Sequence, residues 1–390
     1  MTKRSQVKPI AVAHVITGLL VGGAETALAR LLETLPREEF PALVVSLLAE
    51  GPMAERIRAC GCDVIALGMR AGVPPPGAVF RLRRALLAFL PDIVQGWMYH
   101  GNLAAWLGAR FLPAETPVVW NIRQSLYDLG HERPGTRLAI RAGARLARRV
   151  SALVYNSEVS RGQHLAAGYR APRSLVIPNG FDLDAFRPSP EARVSLRAEL
   201  GLPQSGLVVG LVNRFHPMKG HATFLQAARL VLDAGIEATF VCAGRGVTLS
   251  NLELGSLVAR LGLANHVHLL GERADTARLL AGFDVACMAS AWGEGFPNVV
   301  GEAMACGVPC VATNIGDTAS VVATAGRVVP PDDAPAFAAA VRALLTAPAD
   351  TRRRLGEEAR GRIERQFSMA TCASSYASLY GATVVGRQPG

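Results

Sequence analysis

Short apolar runs alternate along this chain with longer amphipathic stretches, and the rhythm occurs twice. In the first half, Ile10–Thr17, Ala42–Leu48, Cys62–Leu67, Asp92–Gln95, Val118–Ile122, Ala152–Asn156 and Ser174–Pro178 read as strands. They are rich in Val, Ile and Leu, the composition of strands buried on both faces. Ala24–Leu35, Met53–Cys60 and Arg81–Leu90 read as helices, Pro74–Pro76 as a loop, and Pro91 as a helix stop. The second half repeats the grammar. Leu207–Val212, Ala238–Ala243, Val267–Leu270, Val285–Met288 and Pro309–Thr313 are expected strands. Ala222–Ala234, Leu252–Leu261, Ala274–Ala281, Pro297–Cys306 and Ala334–Leu345 are expected helices, with Arg352–Gln366 and Ser368–Tyr380 closing the chain. Strands separated by helices imply parallel sheets. A Pro/Asn/Asp-rich stretch from Asn179 through Pro190 separates the two series and reads as an interdomain linker.

Composition narrows the class. The chain has 390 residues, half of them apolar, enough for two domains with proper cores. No run approaches the roughly 20 apolar residues of a spanning helix. Lys3, Arg4 and Lys8 precede an apolar run, as in a signal peptide, but Gly18, Gly22, Gly23 and Glu25 interrupt it with no plausible cleavage site, so a cytoplasmic protein is expected. Seven scattered cysteines include only two close pairs, Cys60/Cys62 and Cys306/Cys310. Neither has a four-ligand zinc spacing, and buried thiols are the expectation.

A net charge of +10 calls for an anionic partner. Arg137, Arg141, Arg145 and Arg148 recur at helical spacing and form one stripe, suited either to an anionic membrane surface or to plain solvation. No module that reads nucleic acid is present, and aromatics are too sparse for base stacking, so no nucleic-acid partner is expected.

The most informative segment runs from Ala289 to Pro309 and holds Glu294, Gly295, Phe296, Pro297, Asn298, Glu302 and Gly307. Two carboxylates eight positions apart flank a strand-to-helix turn. Pro297 suits the first helical position, and Gly307 followed by Pro309 ends the helix. Such a turn directs free backbone N–H groups and a helix N-terminus outward, a site ready for phosphate. Glu302, inside the helix, cannot cap it, and sugar hydroxyls are good partners for a carboxylate so placed. Upstream, Arg214 and Lys219 follow a buried strand in Asn213-Arg-Phe-His-Pro-Met-Lys-Gly-His221.

These residues resemble the E-x7-E signature of the retaining glycosyltransferases of family 4, which have the GT-B fold. The resemblance covers nearly the whole chain and is strongest from about Ser157 to Asp333. It implies an α/β protein of two Rossmann-like domains facing each other across a cleft, about 1–185 on the acceptor side and 186–366 binding the nucleotide sugar. The segment 367–390 is expected to cross back onto the first domain. The resemblance further implies that Glu294 holds donor-sugar hydroxyls, Glu302 the ribose, the backbone of Phe296, Pro297, Asn298 and Val299 the diphosphate, and Arg214 and Lys219 its charge. Cys242-Ala-Gly244-Arg-Gly246 is similar to the family's glycine turn beside base and ribose. Gly22, Gly23 and Glu25 resemble a Gly-Gly-Ala-Glu loop that meets donor and acceptor, although for Glu25 a tight structural turn explains the pattern equally well. Relatives often carry a histidine that supports the transition state. Several place it where this chain has Trp97, so His100 is the candidate here, with a packed or loop histidine as the alternative. Arg123 follows the next strand and is a candidate for an anionic acceptor. Many relatives carry a glutamate near Ser320, and no role passes to that serine.

Two decoys compete. Asp182-Leu-Asp184 matches a metal-binding D-x-D, but it lies in the expected linker. His216 and His221 read as loop histidines. The expectation is thus a retaining, metal-independent transferase without cofactor, moving sugar from a nucleotide diphosphate sugar to a glycan or lipid-linked acceptor in cell-surface polysaccharide synthesis. It would be cytoplasmic, or peripheral on the inner membrane face if the arginine stripe docks there. A sugar-nucleotide epimerase on the same scaffold and a non-catalytic sugar-nucleotide binder are the rival readings.

Overall fold

A computed structural model describes residues 8–70, 76–113 and 115–385. Pro74, Pro75, Lys3 and Arg4, on which two sequence expectations rest, lie outside the described residues. The chain divides into two compact units, residues 1–180 with 369–390, and residues 181–368.

In the first unit the elements run β1 (Val12–Ile16), α1 (Gly23–Thr34), β2 (Ala42–Ser46), α2 (Met53–Ala59), β3 (Asp63–Ala66), α3 (Pro76–Phe89), β4 (Ile93–Trp97), α4 (Met98–Ala109), β5 (Val118–Ile122), α5 (Pro134–Leu146), β6 (Ala152–Tyr155), α6 (Glu158–Ala166) and β7 (Ser174–Val176). The second unit continues with α7 (Pro190–Glu199), β8 (Val208–Val212), α8 (His221–Asp233), β9 (Thr239–Ala243), α9 (Leu252–Arg260), β10 (Val267–Leu269), α10 (Thr276–Gly282), β11 (Val285–Met288), α11 (Asn298–Ala305), β12 (Cys310–Thr313), α12 (Thr318–Val322), β13 (Gly326–Val329), α13 (Ala334–Leu345) and α14 (Ala349–Gln366). Helix α15 (Met369–Val385) returns to the first unit.

Both sheets are parallel, in the order β3-β2-β1-β4-β5-β6-β7 and β10-β9-β8-β11-β12-β13. Each is a Rossmann-like order in which direction reverses once, between β1 and β4 and between β8 and β11. In open α/β sheets, ligands bind beyond the carboxyl ends of the strands at that reversal. The fold therefore singles out four loops: those after β1, β4, β8 and β11.

Each sheet is sandwiched between two apolar layers. In the second unit one layer joins α10, α11 and α14 to the sheet through Leu279, Val300, Met304 and Ile363, and the other joins α8 and α13 through Phe224, Val231, Phe337 and Val341. In the first unit Tyr376 and Tyr380 of α15 pack with Trp97, Val154 and Leu28 on one face, while Leu86, Tyr99, Trp120 and Ile140 fill the other. All cysteines are free and all but Cys60 are buried.

Several elements escape the sequence reading. α4 is apolar all round and holds Gly101 and Gly108, so it shows no amphipathic stripe. α7 begins where the linker was expected to end, with Ser189 accepting from the Ala192 N–H and Pro190 in the first turn. Within that linker the Asp182 side chain accepts from the Asp184 and Ala185 N–H groups and closes its own turn.

Candidate functional site

The loop after β8 carries the cations. Phe215 N–H donates to the Arg245 carbonyl at 2.8 Å, and Gly244 N–H to the Gly271 carbonyl at 2.7 Å, which sets the glycine turn after β9 against the cation loop. His216 Nδ1 accepts from the Met218 N–H at 3.2 Å and caps a short 3-10 turn, Pro217–Lys219. Gly220 then enters α8 with φ +65°, and a Cβ there would stand 1.8 Å from the Ala289 carbonyl oxygen. Only glycine accepts both that backbone angle and that approach. His221, expected in a loop, is instead the first residue of α8 and is buried. Burial takes its imidazole down to about 4.

The loop after β11 carries the acid. Ala291 N–H donates to the Met218 carbonyl at 2.8 Å, so the two loops are pinned to each other through their backbones. Across that junction Lys219 Nζ forms an ion pair with Glu294 Oε1, each side chain only 14% exposed. Ser290 Oγ donates to the same carboxylate oxygen at 2.8 Å. A third loop braces the acid from outside, with Asp317 N–H donating to the Gly295 carbonyl at 3.1 Å.

Beyond Glu294 the chain enters α11. Phe296 turns its ring into the core against Phe181 and Phe367, so only its backbone remains to face a ligand. Pro297, expected at the first helical position, is the N-cap, and the helix starts at Asn298. The consequence is unchanged, because neither position needs the N–H that proline lacks. Asn298 is exposed, Val299 and Glu302 are half-buried, and Arg214 is exposed on its loop. One unit thus carries Arg214, Lys219, Gly244, Glu294, the 296–299 turn and Glu302. All of them except Glu302, which lies on α11, stand in loops or at a helix start beyond strand ends.

The remaining candidates belong to the other unit, where all but Arg123, which follows β5, stand beside its reversal point. Gly22 is the N-cap of α1, and the Glu25 carboxylate folds back over it, 2.4 Å from where a Gly22 Cβ would be. Burial pushes that carboxyl up, against a bond from its own backbone N–H. Gly23 opens the helix, and a Cβ there would meet nothing within 4 Å.

After β4, Met98 has φ +60°, an uncommon conformation for a residue with a side chain. The turn is locked on both sides: Trp97 Nε1 donates to His14 Nδ1 at 3.2 Å, and Tyr99 Oη bonds His164 Nε2 at 2.9 Å. His100 follows on the first turn of α4, exposed overall but with partial burial lowering its pKa. Arg123 is less available than expected. Its Nε donates to Asn179 Oδ1 at 3.1 Å, Nη1 to Tyr376 Oη at 3.0 Å, and Nη2 again to Asn179.

Sequence reasoning missed Ser290 and Thr313, whose Oγ1 donates to the Ser290 carbonyl at 2.6 Å. Their only signal is polarity at the ends of apolar strands.

Two family profiles match the chain. "Glycosyl transferase 4-like domain" matches residues 22–180 and "Glycosyl transferases group 1" residues 206–347. The UDP-Gal:alpha-D-GlcNAc-diphosphoundecaprenol alpha-1,3-galactosyltransferase of Escherichia coli is 32% identical over 142 residues, 36% of each chain. The MMP alpha-(1->4)-mannosyltransferase of Mycolicibacterium hassiacum is 32% identical over 243 residues, 60% of this chain and 55% of that one. The matches thus span between about a third and about half the length of these curated relatives. Among solved structures, Anabaena HepE in complex with UDP superposes with a TM-score of 0.80 at 26% identity, over 96% of this chain and all of that one.

Proposed function

Because the chain belongs to the family 4, group 1 glycosyltransferases, we propose that it transfers a hexose from a UDP-sugar to a glycan or lipid-linked acceptor, with retention of configuration and without a metal. The observation that carries the reading is the pairing of Lys219 with Glu294, on loops pinned together at the strand-order reversal of the second unit and leading into the N-terminus of α11. UDP as the nucleotide is supported by HepE, whose structure holds it.

In this mechanism Arg214 and Lys219 take the negative charge that develops on the diphosphate as the glycosyl bond breaks. The backbone N–H groups at the start of α11 add dipolar stabilisation. Glu294 holds donor-sugar hydroxyls and Glu302 the ribose, so binding energy remote from the breaking bond orients it. The acceptor hydroxyl attacks the face the diphosphate leaves, and no enzyme carboxylate forms a covalent intermediate. His100, on the first turn of α4, is the candidate for the histidine that supports the transition state.

Two features support a lipid-linked or cell-surface acceptor. The Escherichia coli relative is named for a diphosphoundecaprenol substrate. On α5, Arg141 and Arg145 are exposed on the same face as Leu138, Arg137 is half-buried, and Arg148 continues the stripe just beyond the helix, a combination that suits an anionic membrane surface. No described helix is long and apolar enough to cross a membrane.

A thermal-shift panel of nucleotide sugars, with Arg214→Ala and Lys219→Ala beside wild type, tests the donor site. A UDP-sugar should stabilise wild type and stabilise both variants much less. Equal stabilisation of all three, or of none, rejects the assignment. Consumption of the UDP-sugar with no acceptor present would favour an epimerase.

A further inference from the structure

We infer that Ser290 is a positioning residue for the donor sugar, acting through Glu294. The inference rests on the donor site proposed above. Ser290 and Thr313 are fully buried at the carboxyl ends of the neighbouring strands β11 and β12. Thr313 Oγ1 donates to the Ser290 carbonyl at 2.6 Å and lies 3.4 Å from that of Met288, fixing the backbone of the acid loop as it leaves the sheet. Ser290 Oγ in turn donates to Glu294 Oε1 at 2.8 Å.

The Lys219 ammonium ends on that same Oε1. Two donors on one oxygen set the rotation of the carboxylate and turn Oε2 toward whatever the loop faces. Their fates differ once a diphosphate is bound. Lys219 is then shared with, or surrendered to, the phosphate oxygens, whose charge exceeds that of one carboxylate. A half-buried carboxylate that lost its only partner would be costly to keep charged and free to rotate. The Ser290 hydroxyl, fully buried beside the end of β11, stays. It keeps Oε1 anchored and leaves Oε2 aimed at sugar hydroxyls while Lys219 serves the leaving group. Ser290 therefore affects sugar recognition and not nucleotide recognition.

The experiment compares wild type, Ser290→Ala, Ser290→Thr and Thr313→Val by calorimetric titration. The probes are UDP and whichever of UDP-glucose, UDP-galactose and UDP-N-acetylglucosamine the wild type binds most tightly, with melting curves as the check on folding. Ser290→Ala should bind UDP within about twofold of wild type but lose roughly tenfold or more in affinity for the UDP-sugar, the scale of one hydrogen bond to a charged group. Ser290→Thr, which keeps the hydroxyl, should recover most of the loss, and Thr313→Val should show a smaller loss of the same kind.

Parallel loss of UDP and UDP-sugar affinity in Ser290→Ala means a structural role and overturns the inference, as does unchanged binding of both. Wild type that binds UDP but gains nothing from any attached sugar overturns it too, while leaving the nucleotide site standing. Wild type that binds neither UDP nor any of the sugars removes the donor site itself, and the inference with it.

Discussion

Lys219 and Glu294 form an ion pair although 75 positions of chain separate them. The pair joins the first cation loop of the second unit to the acid loop three strands later, and both side chains are largely shielded from solvent. Removing one partner therefore differs from neutralising both. Lys219→Ala withdraws a cation from the diphosphate and leaves the carboxylate with the Ser290 hydroxyl and without a counter-charge. We expect kcat/KM to fall by about 10² to 10³, the range found when one preorganised donor is removed. Glu294→Gln, which keeps the shape, should lower kcat more than it weakens UDP binding. The double variant Lys219→Met/Glu294→Gln should fall short of the summed losses, because each single change already breaks the same contact. Strict additivity in steady-state kinetics would show that the two side chains act independently.

Gly220 places Lys219. An alanine there must adopt φ +65° and also displace the Ala289 carbonyl, whereas Gly235, with φ +78°, has nothing near its missing Cβ. Gly235→Ala should cost only the conformational term, about 1 kcal/mol, and leave UDP affinity intact. Gly220→Ala should cost more and weaken UDP binding, because the two pinned loops must separate. Similar melting temperatures and UDP affinities for the two variants would show that the approach to Ala289 is easily relieved.

How far was this site legible in advance? The alternation of apolar runs and helices identified parallel sheets, and the acid turn and the cation loop each had a physical reading before any coordinates. What the sequence could not convey is which loops meet. Nothing in Pro217-Met-Lys219 shows that the Met218 carbonyl accepts from Ala291, or that Ser290 bonds Glu294, because those contacts depend on β8 and β11 being neighbours. Helix α4 was missed for a related reason: it is mostly apolar, with even the exposed Leu107 hydrophobic, and has no polar face to give it period. Arg123 read as a free cation after a strand, and only the return of α15 to the first unit shows that Asn179 and Tyr376 occupy it.

That occupation makes Arg123 a test of structure against acceptor binding. Its bonds to Asn179 and Tyr376 hold both the segment leaving the first unit and the helix returning to it. Arg123→Ala should destabilise the first unit by about 2 to 3 kcal/mol, the range of a lost hydrogen bond to a charged group with its partners left behind. UDP affinity should be unchanged, since Arg214, Lys219, Glu294 and Glu302 lie in the other unit. An unaltered melting curve with a raised acceptor KM would instead support the acceptor role read from the sequence.

Buried histidines set the acid side of the stability profile. Burial takes His14 down to about 3 and His164 and His221 to about 4. Unfolding exposes them at their ordinary value near 6.5, so below that pH the unfolded chain binds the extra protons and stability falls. By pH 5 each contributes a loss of about 2 kcal/mol. The first unit carries two of the three, so its unfolding transition should be the more sensitive between pH 7 and 5. Urea denaturation followed at several pH values measures this, and His164→Gln should flatten the slope for the first unit only. A gain in stability on acidification over that range would contradict the buried, neutral assignment.

The arginine stripe can be probed on its own exposed face. Ala139, Ile140 and Gly143 turn the inner face of α5 into the core, while Arg141, Arg145 and the 67%-exposed Leu138 share the outer face. An anionic membrane would take the leucine into its interfacial region and the cations at its headgroups. Near an anionic surface each arginine is worth about 1 kcal/mol, so three of them amount to roughly a hundredfold in partitioning. We expect the protein to sediment with vesicles containing phosphatidylglycerol and not with phosphatidylcholine alone, and added salt to release it. Arg141→Glu/Arg145→Glu/Arg148→Glu should abolish the association while leaving UDP binding intact. Leu138→Ala should weaken it without changing its salt dependence, because it removes the apolar part of the contact and none of the charge. Binding to neutral and anionic vesicles alike, or to neither, would return the stripe to the status of a solvated face.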